Sequence, residues 1–127
     1  MNDESKYFDL HTTGVGYLQR VQEVEPEDGS PYLSATIAAL RGRSGAVQYT
    51  HFECAVIGSK AQATVRELQC AVEGKLKVLI GFTISNLAAE PFAYEGGDLD
   101  GQRGVRLNGR LLRISYAKVD GQPFVTQ

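Results

Sequence analysis

The sequence predicts an all-β domain with one helix, a five-stranded barrel in which the helix lies between the third and fourth strands. Three observations carry this expectation. Residues 47–57 alternate, with Phe52, Cys54 and Val56 on one face and Tyr49, His51, Glu53, Ala55 and Ile57 on the other, the period of a strand. At Ser59 the period lengthens, and Ala61, Val65, Leu68 and Val72 recur at helical spacing. The apolar segments on either side again alternate and are separated by clusters of turn residues.

The elements follow in order. Residues 14–24 (GVGYLQRVQEV) read as the first strand, in which Gly14 and Gly16 allow a sharp bend or a close strand approach. Pro26-Glu27-Asp28-Gly29-Ser30-Pro31 is a dense turn. From Tyr32 to Leu40 a second strand sets Leu33, Ala35, Ile37 and Ala39 against Ser34, Thr36 and Ala38, and Arg41-Gly42-Arg43-Ser44-Gly45 joins it to the third. Ser59-Lys60-Ala61-Gln62 has the form of a capping box, in which the serine hydroxyl and the glutamine side chain satisfy amides left free at a helix start. Gly74 is placed as the C′ glycine that ends the helix, so residues 60–73 are expected to plug one end of the barrel. Leu76, Val78, Ile80, Phe82 and Ile84 alternate as a fourth strand, and Leu111–Val119 reads as the fifth. Phe82 belongs to the expected core, as does Tyr116, which alternates with Leu112 and Ile114. Between these strands, residues 86–104 are rich in Gly and Asp and carry Phe92 and Tyr94; they read as a long loop, of the length that is usually functional or disordered.

Composition bounds the function classes. With 127 residues, 43% hydrophobic and 22% charged, residues 1–127 form a single domain large enough for a real core, preceded over 1–12 by an expected flexible arm. No apolar run approaches the roughly 20 residues of a membrane helix, and the opening MNDESKYFDLHTTG lacks a basic-then-apolar signal, which points to the cytoplasm. Cys54 and Cys70 lack C-x-x-C spacing and a histidine cluster, so both are expected as buried reduced thiols, with no metal and no cofactor. No Ser-His-Asp order, HExxH or P-loop is present. Gly14-x-Gly16 lacks the third glycine of a dinucleotide fingerprint, and Asp98-x-Asp100-Gly101, without the third acidic ligand and terminal Glu of a calcium loop, reads as a polar turn, so the chain reads as a non-enzyme. The formal net charge is −2 and the pI near 5.7, a balance mildly against nucleic acid. The distribution matters more: acids gather at Glu23–Asp28 and at Glu90–Asp100, while Arg41 with Arg43, and Arg103, Arg106, Arg110 and Arg113, form two basic groups.

Strand, strand, strand, helix, strand, strand is the order of an OB-fold, a five-stranded Greek-key barrel whose β1–β2 and β4–β5 loops flank an oligonucleotide-binding face. Short motifs extend the likeness to sequence. Val15-Gly16-Tyr17-Leu18 is similar to the V-G-x-L that opens bacterial single-stranded DNA-binding proteins, and Phe52 to Leu68 resembles the strand-to-helix segment of that family. Gly74 and Val78-Leu79-Ile80 stand where the family has a glycine followed by its fourth strand. Gly109-Arg110-Leu111, with Val119-Asp120-Gly121, looks like a divergent branch encoded on bacterial integrative and conjugative elements. The resemblance implies sequence-tolerant binding of single-stranded DNA in replication, transfer or regulation of a mobile element, by homodimers or homotetramers.

Three departures bear on that expectation. The chain has no Trp, so stacking falls to Tyr49 and His51; Glu53 stands near where the family carries a basic residue; and the chain ends in GQPFVTQ rather than an acidic tail that recruits partners. Unpaired bases stack on aromatics while cations track the backbone, which makes Tyr17, Tyr49, His51, Phe92 and Tyr94 the candidate platforms. Arg41, Arg43, Arg103, Arg106, Arg110 and Arg113 are the candidate phosphate contacts. Tyr17 as an edge residue, and Phe92 and Tyr94 as pins for the long loop, remain open alternatives. So does a second class of function, an OB-fold protein–protein adaptor with weak or no DNA binding, because fold does not decide between the two.

Overall fold

The computed structural model describes residues 8–124. Six strands and one helix run in the order β1 (His11–Val24), β2 (Tyr32–Arg43), β3 (Ala46–Val56), α1 (Ser59–Glu73), β4 (Val78–Ala93), β5 (Arg103–Val119) and β6 (Gln122–Phe124). The sheet order is β3-β2-β1-β4-β5-β6, and a further parallel pairing of β3 with β5 closes the first five strands into a barrel. The helix sits between β3 and β4, as the element order predicts. No helix among the described residues is long and apolar enough to cross a membrane.

Alternation places the core as expected. Leu33, Ala35 and Ile37 of β2, Phe52, Cys54 and Val56 of β3, and Val78, Ile80, Phe82 and Ile84 of β4 all point inward and are buried. The Phe52 and Phe82 rings meet edge to face, centroids 6.1 Å apart, an arrangement that sets a positive ring edge on a negative ring face. The helical stripe of Ala61, Val65, Leu68 and Val72 is buried against the barrel, with Thr64 beside it. Each fully buried Leu or Val in this core contributes on the order of 1.5–3 kcal/mol relative to exposure.

The helix ends differ from expectation by one residue each. The N-cap is Gly58 at φ 90, a left-handed conformation that favours glycine, and no side chain caps the helix. Gln62 instead donates from Nε2 to the Val56 carbonyl at 3.2 Å, tying the helix back to the end of β3. At the other end the left-handed residue is Lys75, with φ 62, while Gly74 stays near helical values. The amides of Lys75 and Leu76 donate to Val72 and Ala71 at 3.0 Å each, a Schellman closure centred one residue past the expected glycine.

Other expectations are corrected by the strands. The segment 86–104, expected as a loop, is mostly a β-hairpin, since β4 continues to Ala93 and β5 begins at Arg103; only the tip between them is irregular. A register shift between Ser85 and Ala88 marks where β4 leaves the barrel and becomes this hairpin arm. Leu76, expected in β4, precedes it and is exposed. β6 was not expected; Asp120 and Gly121, at φ 49 and 83, make the tight two-residue turn that folds it against β5. Tyr116 is exposed rather than buried, because its side lies opposite Ala117, which takes the inward position. Cys54 is buried and Cys70 exposed on the helix, against the expectation of two buried thiols. Burial, with the Glu53 charge beside it, pushes the Cys54 thiol up to about 12. Of the arm expected over 1–12, residues 1–7 lie outside the described residues, and His11 and Thr12 belong to β1.

The expected close approach at Gly16 is present. A methyl group there would stand 2.6 Å from the Ala38 carbonyl oxygen and 2.7 Å from the Ala39 Cα, both backbone atoms of β2. Gly16→Ala is therefore expected to lower stability in urea denaturation by about 1–3 kcal/mol, the cost of overpacking a rigid neighbour. Gly45→Ala, where a methyl meets nothing within 4 Å, is expected to shift it by less than about 0.5 kcal/mol.

Candidate functional site

The outer face of β1–β2–β3 presents one row of side chains that the register aligns across strands. Leu79 pairs with Tyr17, Tyr17 with Ala38, and Ala38 with His51, so a small alanine stands between two rings. Its size leaves a depression. Tyr49, two residues before His51 on β3, brings its ring within 6.5 Å of Tyr17 at a 48° tilt. Tyr17, Tyr49 and His51, with Gln19, Ala38 and Lys77, line a recess of about 300 Å³. Tyr49 is about half exposed and belongs to no core cluster.

Lys77 is the cation that sequence reading missed. It lies just before β4 and is held there by Asp120: the Lys77 amide donates to Asp120 Oδ1 at 2.9 Å, and the Asp120 amide donates to the Lys77 carbonyl at 2.8 Å. Alternation from buried Val78 marks Lys77 as outward-facing, but its approach to Tyr17 depends on β1 pairing with β4. Gln19 enters the same recess through a register shift between Leu18 and Arg20, which turns an additional residue outward.

A second recess, of about 630 Å³, lies further along the same face of β3, where Glu53 follows His51 by two residues. Its walls are Gln22 of β1, Ser34 of β2 and Glu53 of β3 on one side, and Glu90, Arg106 and Asn108 of the hairpin on the other. Glu53 accepts a hydrogen bond from the Thr36 hydroxyl, its direct partner on β2. The polar partner is thus a neutral hydroxyl rather than a cation.

The hairpin carries its own cluster. Phe92 and Tyr94 meet at 4.9 Å, nearly edge to face, and both rings cover Gly104 on the paired strand. Arg106 places its guanidinium 4.7 Å from the Phe92 centroid and forms an ion pair with Glu90 at 3.1 Å. These contacts stiffen the arm, although the half-exposed ion pair itself contributes little, of order 0–1 kcal/mol.

Of the two arginine groups that the sequence suggests, Arg41 and Arg43 stay together at the end of β2 but away from the rings, and the second group divides. Arg41 donates to Thr50 Oγ1 at 2.8 Å and to Gln48 Oε1 at 2.5 Å, on the strand face opposite Tyr49 and His51; Arg43 follows it near the β2–β3 turn. Arg106 lines the second recess, and Arg110, two residues beyond Asn108, pairs with Ala55 on the same side of the seam. Arg103 stands on the other face of the hairpin, opposite Ala93. Arg113 lies beside Lys60 at the start of α1. The structure therefore brings together Tyr17, Tyr49 and His51 in one place and Phe92, Tyr94 and Arg106 in another, with Arg110 adjacent, and sets Arg41, Arg43, Arg103 and Arg113 apart.

Fold and face together define a small OB-fold-like β-barrel protein with two recesses on one sheet face, the second of them walled on one side by the β4–β5 arm. The chain belongs to the family described as Protein of unknown function (DUF3577), which matches residues 1–127. No curated protein and no solved structure matches it.

Phe92 is the pin of the hairpin arm. Phe92→Ala uncovers Gly104 and removes the ring beneath Arg106, so amide protection over residues 90–106 is expected to fall in hydrogen exchange while that of residues 78–84 holds.

Proposed function

We propose that this protein binds single-stranded DNA with little dependence on sequence, as a cytoplasmic binding protein rather than an enzyme, in the replication, transfer or regulation of a bacterial mobile element. The observation that carries the reading is the recess of Tyr17, Tyr49 and His51 with Lys77 at its rim, on the outer face of an OB-fold-like barrel. Flat rings with exposed faces stack bases of any identity, and a lysine beside them neutralises phosphate. The mobile-element part rests on the motifs Gly109-Arg110-Leu111 and Val119-Asp120-Gly121. Assembly into closed dimers or tetramers is part of the same reading. Its support is the edge of β1 over residues 11–15, which pairs with β4 on one side only, since pairing with β2 begins at Gly16.

A second reading, the protein–protein adaptor, is favoured by the net charge of −2 and by the commitment of Arg106 to Glu90. The two separate in a salt-titrated binding assay with labelled oligo(dT) and a duplex of equal length. Single strands are expected to bind better than duplex. Tyr49→Ala is expected to cost on the order of 1–3 kcal/mol with little change in salt slope, because stacking releases few ions. Lys77→Ala should flatten that slope by about 0.7, the contribution of one single-strand phosphate contact. If wild-type protein shows no preference for single strands at low salt, the adaptor reading replaces this one. Light scattering at micromolar concentration is expected to give a dimer or tetramer, and a monomer would remove the assembly part alone.

A further inference from the structure

We propose that the recess between β3 and the hairpin arm reads guanine, so that the strand-binding face has a preferred base at one position. This rests on the single-strand reading above and adds a specific contact to it.

The recess is built for a base edge rather than for phosphate. Glu53 would repel a phosphate, and the one arginine lining the recess, Arg106, is already engaged by Glu90 and by the Phe92 ring. What remains for a ligand is a donor beside two acceptors. Glu53 and Asn108 are direct partners in the parallel β3–β5 ladder, so their side chains stand next to each other on the same face of the seam. The Thr36 hydroxyl engages Oε2 of Glu53 and anchors the carboxylate. Among the described residues, Oε1 of Glu53 and the side-chain amide of Asn108 have no hydrogen-bond partner.

A carboxylate accepts at both oxygens, and an amide nitrogen donates. The Watson–Crick edge of guanine offers the complement, an O6 acceptor followed by N1–H and N2–H donors. The other three bases do not. Thymine has one N–H flanked by two carbonyls, while adenine and cytosine each set a single amino group beside a ring-nitrogen lone pair. In all three cases one oxygen of Glu53 would face a lone pair, which is repulsive. The carboxylate that looks out of place for backbone binding thereby becomes the source of selectivity. Its neighbourhood fits the role: His51 precedes Glu53 by two residues on the same strand face, so a strand stacked at the first recess continues directly into the second.

The test is equilibrium binding, by fluorescence anisotropy at low salt, of oligo(dT) and of the same strand carrying one central guanine, adenine, cytosine or hypoxanthine. The guanine strand is expected to bind roughly fivefold or more tightly than the adenine, cytosine and thymine strands, the lower end of what a bidentate base contact discriminates. Hypoxanthine, which lacks the 2-amino group, should fall between. Glu53→Gln, which replaces one acceptor by a donor, should bring the strands to parity, and Asn108→Ala should reduce the preference independently. Equal binding of all the strands by wild-type protein, or a guanine preference that survives Glu53→Gln, overturns this inference alone. Failure to bind any strand overturns the single-strand reading and this one with it.

Discussion

Closure of the barrel depends on Phe52–Val56 of β3 running parallel to Leu107–Leu111 of β5. All the other strand pairings in the sheet are antiparallel and join strands that lie next to each other in the order β3-β2-β1-β4-β5-β6. The parallel seam alone joins strands that are not neighbours in that series, β3 at one end and β5. It buries Phe52 and Leu111, brings the Ile57 amide onto the Leu111 carbonyl at 2.9 Å, and so fixes where α1 must begin. It also sets the hairpin arm against the outer face of the sheet, and without it the second recess would have one wall.

The helix depends on the same closure. Gly58 turns the chain immediately after β3, and Gln62 reaches back to Val56, so the apolar stripe of α1 is aimed into the barrel end rather than along its side. The ion pair of Arg66 with Glu23, at 2.7 Å, lies on the surface and is worth little. The buried contacts of Val65 and Leu68, both fully enclosed, dominate. A helix of this length is marginal alone, and tertiary packing supplies most of its stability.

The outer face divides chemically. One half is aromatic with a lysine at its rim, around an alanine small enough to leave a depression. The other is polar, with two carboxylates, one arginine and uncharged amides. A uniform electrostatic track would place cations along the whole path. Here they are sparse, and Arg41 is held by Thr50 and Gln48 on the reverse face. Ring surfaces and hydrogen-bonding groups consequently make up more of this face than charge does.

By itself the sequence determined the element types, because alternation and helical spacing are local properties of neighbouring residues. It marked the inward faces of β2, β3 and α1 residue by residue, and it marked Tyr49 and His51 as outward because Phe52, Cys54 and Val56 claim the core. Asp120-Gly121 carries the turn signal for β6 as well, in a dipeptide that favours left-handed backbone. The hairpin arm was less legible, since Gly and Asp at its tip mask strands whose sides are both partly wet and so lack a buried face. Tyr116 was misread because register shifts in β5 break the alternation on which its placement rested. The grouping of the arginines, the nearness of Lys77 to Tyr17, and the pairing of Glu53 with Asn108 were decided only by tertiary structure. Each depends on which strand lies beside which and in what register, and that is set by barrel closure between segments some fifty residues apart, where no local pattern in the chain can specify it.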